Sequence, residues 1–336
     1  MPVSLAQAKL NTTDAIDLKV IDEFRKSSDI LDRLTFADVV NPAGGGATLT
    51  YTYTRLATQG TADFRAINSE YTPGEVTKAR YSTDLKPLGG SFQIDRVLAK
   101  LGPATAAEVS LQMNQKIKAS RALFADTVIN GDTAVDADSF DGLNKALTGS
   151  STEYLPLANG TATGYRDWTG IDTKAEALAE MAQIDSWLAL MDERPDVIYG
   201  NRKTLALFKY LAAWSDMIDK STDAFGRPVQ AYNGIPLVDL GTKAGNNNDV
   251  IGLVTRDTDA GGAGGPITNL GDLYAVRYGL DGFHGLSMAG APLVQTWLPD
   301  FSTAGAVKTG EVEMGPVGVA LKATKAAAVF RNIKSA

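Results

Sequence analysis

Apolar positions along this chain follow two periods. Between residues 106 and 129, Val109, Met113, Ile117, Phe124 and Val128 recur about every four residues, with Leu123 beside them. That spacing predicts a helix packed on one side. Thr105 and Glu108 have capping-box spacing, Pro103 precedes them and Gly131 follows, so both ends are marked. At 1.5 Å rise per residue such a helix runs for roughly 36 Å, a spine rather than a connector. Residues 48–55 (TLTYTYTR) instead alternate Thr with Leu and Tyr, the period of a half-exposed strand. Residues 91–96 (SFQIDR) read as the returning strand.

About 35 mostly polar residues separate these two strands, whereas connections longer than about 12–15 residues are uncommon in a compact unit. The segment carries Phe64, Ile67, Tyr71 and Val76 among Arg65, Glu70, Glu75, Lys78 and Arg80. Such a mixture docks on another protein but forms no core alone. The expectation is a reach onto a neighbouring chain, with Arg55, Phe64, Arg65, Tyr71, Glu75, Lys78 and Arg80 as candidate contacts between subunits.

Residues 4–34 give a broken amphipathic pattern expected to form an arm that packs elsewhere, and 41–46 (NPAGGG) break the chain. A second unit starts near Trp168, after a Gly-, Ser- and Thr-rich stretch. Thr173 and Glu176 again fit a capping box, and Leu178, Met181, Ile184, Leu188 and Met191 mark its buried helical face. Residues 195–214 read as a short buried strand, a turn at Gly200, an N-cap at Asn201 and a helix. Strands are expected at 233–240 and 272–278, making this unit mixed α/β. Further strands at 292–298 and 317–323 are expected to rejoin the first unit's sheet, and no repeat of 20–50 residues occurs.

At 336 residues and 44% hydrophobic content, the chain can build two or three cores. Basic and acidic residues number 32 and 39, a net charge of -7 without long like-charge runs. This argues against a phosphate-gripping groove. The absence of cysteine excludes disulfides and thiol chemistry. Neither a signal-like N-terminus nor 18 consecutive apolar residues is present, so the sequence reads as soluble and cytoplasmic.

Little in the chain advertises catalysis. The single histidine, His284, lies near Ser287 but outside any G-x-S-x-G elbow, and reads as an ordinary loop or strand residue. Asp132, Asp136, Asp138 and Asp141 invite a calcium reading, yet they miss EF-hand spacing and Leu147 stands where the final Glu belongs. Residues 261–265 (GGAGG) lack the phosphate-loop Lys and Ser/Thr, and at 200–204 (GNRKT) capping by Asn201 accounts for the pattern. Tyr51, Tyr53, Phe64 and Tyr71 fit packing or subunit contact better than base stacking in an acidic chain. No catalytic, cofactor or metal set emerges, and the expectation is a protein without enzymatic activity.

The order of parts resembles the major capsid proteins of tailed bacteriophages, the Hong Kong 97-like fold family. The resemblance rests on Ile129-Asn130-Gly131 followed by Phe140-Asp141-Gly142-Leu143, on the strand-Asn-Arg-helix block at 197–211, and on NGIPLVDL at 233–240. It implies an α+β capsid fold with an N-terminal arm (1–46), an extended β-hairpin loop (47–96) and a peripheral domain with the spine helix (97–167). An α/β axial domain (168–288), with 241–265 supplying loops near a symmetry axis, and C-terminal strands returning to the peripheral domain (289–336) complete it.

That resemblance also implies a function. The chain would assemble with itself in pentamers and hexamers into an icosahedral virion shell enclosing double-stranded DNA, without sequence-specific binding or membrane contact. A separate scaffolding protein, a portal and a decoration protein are the implied partners. Some family members join subunits by a Lys to Asn isopeptide bond, and Lys78 lies in the proposed loop. The alternatives are an encapsulin-type nanocompartment shell, a tail or surface-binding structural protein, and a small-molecule enzyme.

Overall fold

The computed structural model describes residues 29–40, 48–58, 60–97, 103–156, 164–214, 218–222, 228–258, 265–290 and 292–336. In chain order, helix α1 (Asp29–Arg33) leads into strands β1 (Phe36–Val40), β2 (Thr50–Leu56), β3 (Lys78–Asp84) and β4 (Lys86–Asp95). Helices α2 (Pro103–Asn130) and α3 (Leu143–Leu147) follow, then β5 (Glu153–Tyr154), β6 (Arg166–Asp167), α4 (Lys174–Leu188), β7 (Val197–Gly200) and α5 (Arg202–Trp214). The remaining strands are β8 (Ile218–Thr222), β9 (Pro228–Tyr232), β10 (Ile235–Val238), β11 (Val254–Arg256), β12 (Ile267–Val276), β13 (Phe283–Met288), β14 (Val294–Trp297), β15 (Val307–Leu321) and β16 (Ala327–Lys334).

These strands form three sheets. One has five strands in the order β1-β13-β15-β14, with β4 also on β15; another has nine, β5-β16-β12-β7-β10-β9-β8, with β6 on β16 and β11 on β12. The third is the isolated pair β2-β3. Side chains of the nine-stranded sheet alternate between two cores. Val197, Tyr199, Tyr274, Val276, Ala327 and Val329 join a cluster with Phe124, Val128 and Ile129 of α2. Ile198, Leu273, Ala275, Ala328 and Phe330 join another with Met181, Ile184 and Trp187 of α4 and Leu205, Phe208 and Leu211 of α5. The sheet is thus a middle layer, and each large side chain removed from water contributes about 1.5–3 kcal/mol.

The spine helix is longer than expected and starts differently. It begins at Pro103, two residues ahead of the predicted cap; proline suits this position because its missing N–H would lack an intrahelical partner anyway. Glu108 therefore lies inside the helix and accepts from Gln112 Nε2 at 2.8 Å. Phe124, Val128 and Ile129 are fully buried, while Leu123 is 39% exposed and does not belong to the stripe. Val109, Met113 and Ile117 cover a small separate cluster with Phe92 and Val312.

Several strand expectations are corrected. The partner returning to β2 is β3, in register from Thr50↔Asp84 to Leu56↔Lys78, and residues 91–95 belong to β4, paired with β15. Asn233 and Gly234, with φ of 49° and 73°, make the hairpin turn between β9 and β10 instead of opening a strand. A two-residue turn of this kind needs positive φ at both positions, which Asn-Gly tolerates. The closing segment divides: β15 joins the five-stranded sheet, whereas β16, absent from the sequence reading, lies inside the nine-stranded sheet beside β12. Nearly all of β16 is buried, so it shows none of the polar alternation that betrays a half-exposed strand.

Residues 1–28 and 41–46 of the predicted arm lie outside the described residues. The part described packs on its own subunit: Ile30 and Leu34 enter the main core, and β1 runs parallel to β13. Thr173 accepts from the Glu176 N–H at 3.3 Å and Asn201 from the Lys203 N–H at 2.9 Å, as their spacings predict. On α4 the buried face is Ala177, Met181, Ile184 and Trp187, with Leu178 turned outward.

Candidate assembly interface

Thr alternation makes β2 a strand with two moderately exposed faces, and its pairing with β3 produces a ribbon that shares no backbone ladder with either large sheet. Its root is fixed from within the subunit. Tyr53 Oη donates to the Leu321 carbonyl at 3.0 Å. Arg55 Nε donates to the Lys322 carbonyl at 2.9 Å and Nη1 to Thr324 Oγ1 at 3.3 Å, with a further bond to the Leu321 carbonyl. The guanidinium lies 4.2 Å from the Tyr81 ring centroid, a favourable cation–π placement. Arg55 is thereby an anchor of the ribbon within its own subunit.

Beneath the root, Leu85, Leu286 and Ala320 form a small core covered by Val39, Tyr51 and Tyr53. Tyr51, Tyr53 and Tyr81 stack in a row with centroids 5.8 Å apart. His284, fully buried in β13, meets Tyr51 edge-on at 6.4 Å. Its pKa is lowered from the ordinary histidine value, first by burial and then by the Lys322 charge.

Beyond the ribbon, Ala57 N–H to Thr77 carbonyl (2.8 Å) and Thr77 N–H to Thr58 Oγ1 (2.8 Å) close the neck of the loop. Its tip exposes apolar surface. Phe64 is fully exposed, Ile67 is 91% exposed, and Tyr71 and Val76 are also solvent-facing. Arg65 packs 5.4 Å from the Tyr71 ring and donates to the Ser69 carbonyl at 3.1 Å, around a turn with Asn68 at positive φ. Glu75, Lys78 and Arg80 are exposed, Lys78 opposite Leu56 at the end of β3.

A second apolar surface, missed in the sequence, lies at the β4–β15–β14 end of the five-stranded sheet. Val97, Trp297, Leu298, Phe301 and Val307 are exposed there, where Val307 pairs with Asp95 and Trp297 with Glu311. The signal was present as WLPDF at 297–301, apolar residues inside a polar stretch. Its meaning depended on knowing that none of the described residues covers them.

The other sequence candidates are distributed without convergence. His284 and Ser287 are three residues apart on one strand, so they point to opposite faces. Ser287 Oγ donates instead to Asp38 Oδ1 at 2.5 Å. Lys145 Nζ sits 2.6 Å from Asp132 and 2.9 Å from Asp141. Its hydrogen bond holds Asp132 below the usual carboxylate range, and the ammonium occupies the place a cation would take. Residues 261–264 lie outside the described residues. A polar cleft of about 540 Å³ is lined by Asn130, Asn201, Arg256 and Asp272 among others. Those groups bond to each other and to nearby backbone: Asn130 to the Val250 carbonyl, Asn201 to Ile251, and Arg256 to both Asp272 oxygens.

A long helix across a middle sheet, an independent ribbon and a second helix-covered core make up a Hong Kong 97-like fold. No protein-family model matches the sequence, and no curated protein matches it. Among solved structures, the holo-SrpI encapsulin complex from Synechococcus elongatus PCC 7942 is similar at a TM-score of 0.56 and 13% identity, covering 100% of this chain and 97% of that one. The capsid of Myoviridae phage XM1 is similar at 0.55 and 12% (98% and 99% covered), and that of the native GTA particle at 0.52 and 14% (99% and 99%). At these identities the likeness is one of fold over the entire chain.

Proposed function

We propose that this chain is a major capsid protein, self-assembling in pentamers and hexamers into the icosahedral head shell that encloses the double-stranded DNA of a tailed phage. The carrying observation is the loop tip, where Phe64 and Ile67 stand in water on a ribbon paired to no other sheet. Exposed apolar side chains of this kind add nothing to the isolated subunit and gain about 1.5–3 kcal/mol each when covered. Repetition of that contact around closed rings builds a stable particle from individually weak contacts. Phe64, Arg65, Tyr71, Glu75, Lys78 and Arg80 are the proposed contacts on the loop, and Trp297, Leu298 and Phe301 those on the second surface.

In this reading residues 47–96 supply the extended loop and its platform, 97–167 the peripheral domain and 168–288 the axial domain. Scaffolding, portal and decoration proteins are separate partners, and the protein resides in the virion after assembly in the host bacterial cytoplasm. Its work is assembly energy without turnover. Electron microscopy of the purified assembled material tests the proposal: closed icosahedral particles are expected, and monomers or small rings that stay small overturn it.

The SrpI comparison favours a second reading, an encapsulin-type shell enclosing cargo protein. Composition of purified particles separates the two. A full length of DNA inside supports the phage head, and enclosed protein without DNA supports the nanocompartment.

A further inference from the structure

The root of the ribbon holds a group that the shell reading leaves without a role. His284 is the only histidine of the chain and is wholly buried. Both of its ring nitrogens are buried without a well-formed hydrogen bond, and the Gly282 backbone is the one hydrogen-bonding group that favours the protonated form. A neutral imidazole carries one N–H donor and one acceptor, so this pocket already leaves both poorly paired; adding a proton places a second donor and a full charge there.

The surrounding charges do not compensate. On the chain just after β15, Lys322 sits 5.8 Å from the same Tyr51 ring that covers His284, and its positive charge opposes protonation. Asp281, preceding β13, is the carboxylate whose field favours the charged form, but it is paired with Arg277 at 3.1 Å. From β1, Asp38 bonds to Ser287 at the other end of β13; from β3, Asp84 accepts from Thr50 Oγ1. Arg55 of β2 is held by the carbonyls of residues 321 and 322, and Lys86 of β4 donates to the Ala137 carbonyl. Protonation therefore meets the positive charge of Lys322 and no unpaired carboxylate among these groups. Of the elements over this face, only the paired β2 and β3 belong to no large sheet, so the ribbon is the part able to yield.

We propose that His284 is a proton-operated latch for the extended ribbon: neutral, it lets Tyr51 seat β2 on β13 and β15; protonated, it lifts the ribbon root from the sheet. The released state exposes an ordinary imidazole of pKa about 6.5, whereas the docked state resists the proton. Docking is therefore strongest above pH 6.5 and weakens below it, the released population rising by up to about tenfold at pH 5.5, the limit set by the free imidazole. The latch is a property of one subunit and stands whether or not the chain forms a shell.

The test uses full-length subunits kept dissociated, followed by hydrogen exchange at pH 7.5 and 5.5 with rates corrected for intrinsic pH dependence. Protection of residues 50–56 and 78–84 should fall in acid, by up to about tenfold, while α4 and α5 hold theirs, and His284→Phe should remove that difference. Unchanged ribbon protection in the native protein, or the same acid response in His284→Phe, overturns the latch. Should the variant fail to fold, the single histidine gives one assignable resonance. Titration below 6.5, in step with ribbon exchange, supports the proposal, and titration at or above 6.5 overturns it.

Discussion

The Gly142 N–H donates to the Gly131 carbonyl at 2.8 Å, so the chain leaving the spine helix and the chain leading into α3 cross backbone to backbone. A Cβ on Gly131 would lie 2.2 Å from the Phe140 carbonyl oxygen, and one on Gly142 2.5 Å from that of Thr127. Neither obstacle is a flexible side chain that can swing aside. The Asn-Gly and Phe-Asp-Gly-Leu motifs thus have a steric reason: two glycines let the end of the helix be locked from below. Gly142→Ala is expected to lower subunit stability by about 1–3 kcal/mol in urea unfolding through overpacking. Gly170→Ala, which meets nothing within 4 Å, should be close to neutral.

Arg331 is buried in β16 and binds Glu153, Asn144 (2.7 Å), Thr148 (2.9 Å) and Asp272 (3.2 Å). Removing one member of a buried charged network costs about 3–5 kcal/mol, because the partner stays desolvated and unpaired. Arg331→Met should therefore unfold at distinctly lower urea, and adding Glu153→Leu should recover part of the loss. An equal or larger loss in the double variant would show that Glu153 is not the group left stranded.

Phe64→Asp with Ile67→Asp should leave thermal unfolding of the subunit within about 0.5 kcal/mol, as expected for exposed sites, while abolishing closed particles. Removing about residues 58–78 should likewise leave both cores folded and prevent closure. Normal particles from either variant, seen by electron microscopy, would remove the loop from the account of assembly.

Arg55→Ala deletes charge-assisted hydrogen bonds to two carbonyls and the stack on Tyr81. Such bonds contribute about 1.5–3 kcal/mol each, yet they hold only the ribbon. Hydrogen exchange should speed up in residues 50–56 and 78–84 and stay unchanged in β12 and β16. A uniform loss of protection would place Arg55 in the global fold instead.

The stripe on the spine helix grades its own substitutions. The periodicity expects Ile117→Asp to unfold the subunit, but Ile117 is half-buried over the small Phe92 cluster, where an added carboxylate reaches water. Val128→Asp, at a fully buried position of the main core, should be the far more damaging change. Comparing their melting curves checks the order.

Local signals named elements well where one face meets water. The stripe of α2, the caps of α4 and α5 and the Thr-Tyr alternation of β2 are each set within a few residues by backbone geometry and solvent contact. The loop tip was legible for the same reason, because Phe64 and Ile67 sit in a polar stretch too long for a simple turn. Strand β16 was not, since burial on both faces erases alternation. The partner of β2 was misplaced because a sequence shows which residues favour strands but not which strands pair.

What the sequence determined by itself was the inventory: a spine helix, apolar content for two or three cores, and an overlong polar excursion bearing apolar side chains. Tertiary structure decided the relationships. Only there does Arg55 become an anchor of the ribbon within its subunit, WLPDF a surface exposed among the described residues, and a lone histidine a buried group beneath a ribbon. The physical reason is that burial and hydrogen-bond satisfaction depend on residues hundreds of positions apart, and local periodicity carries no record of which of them meet.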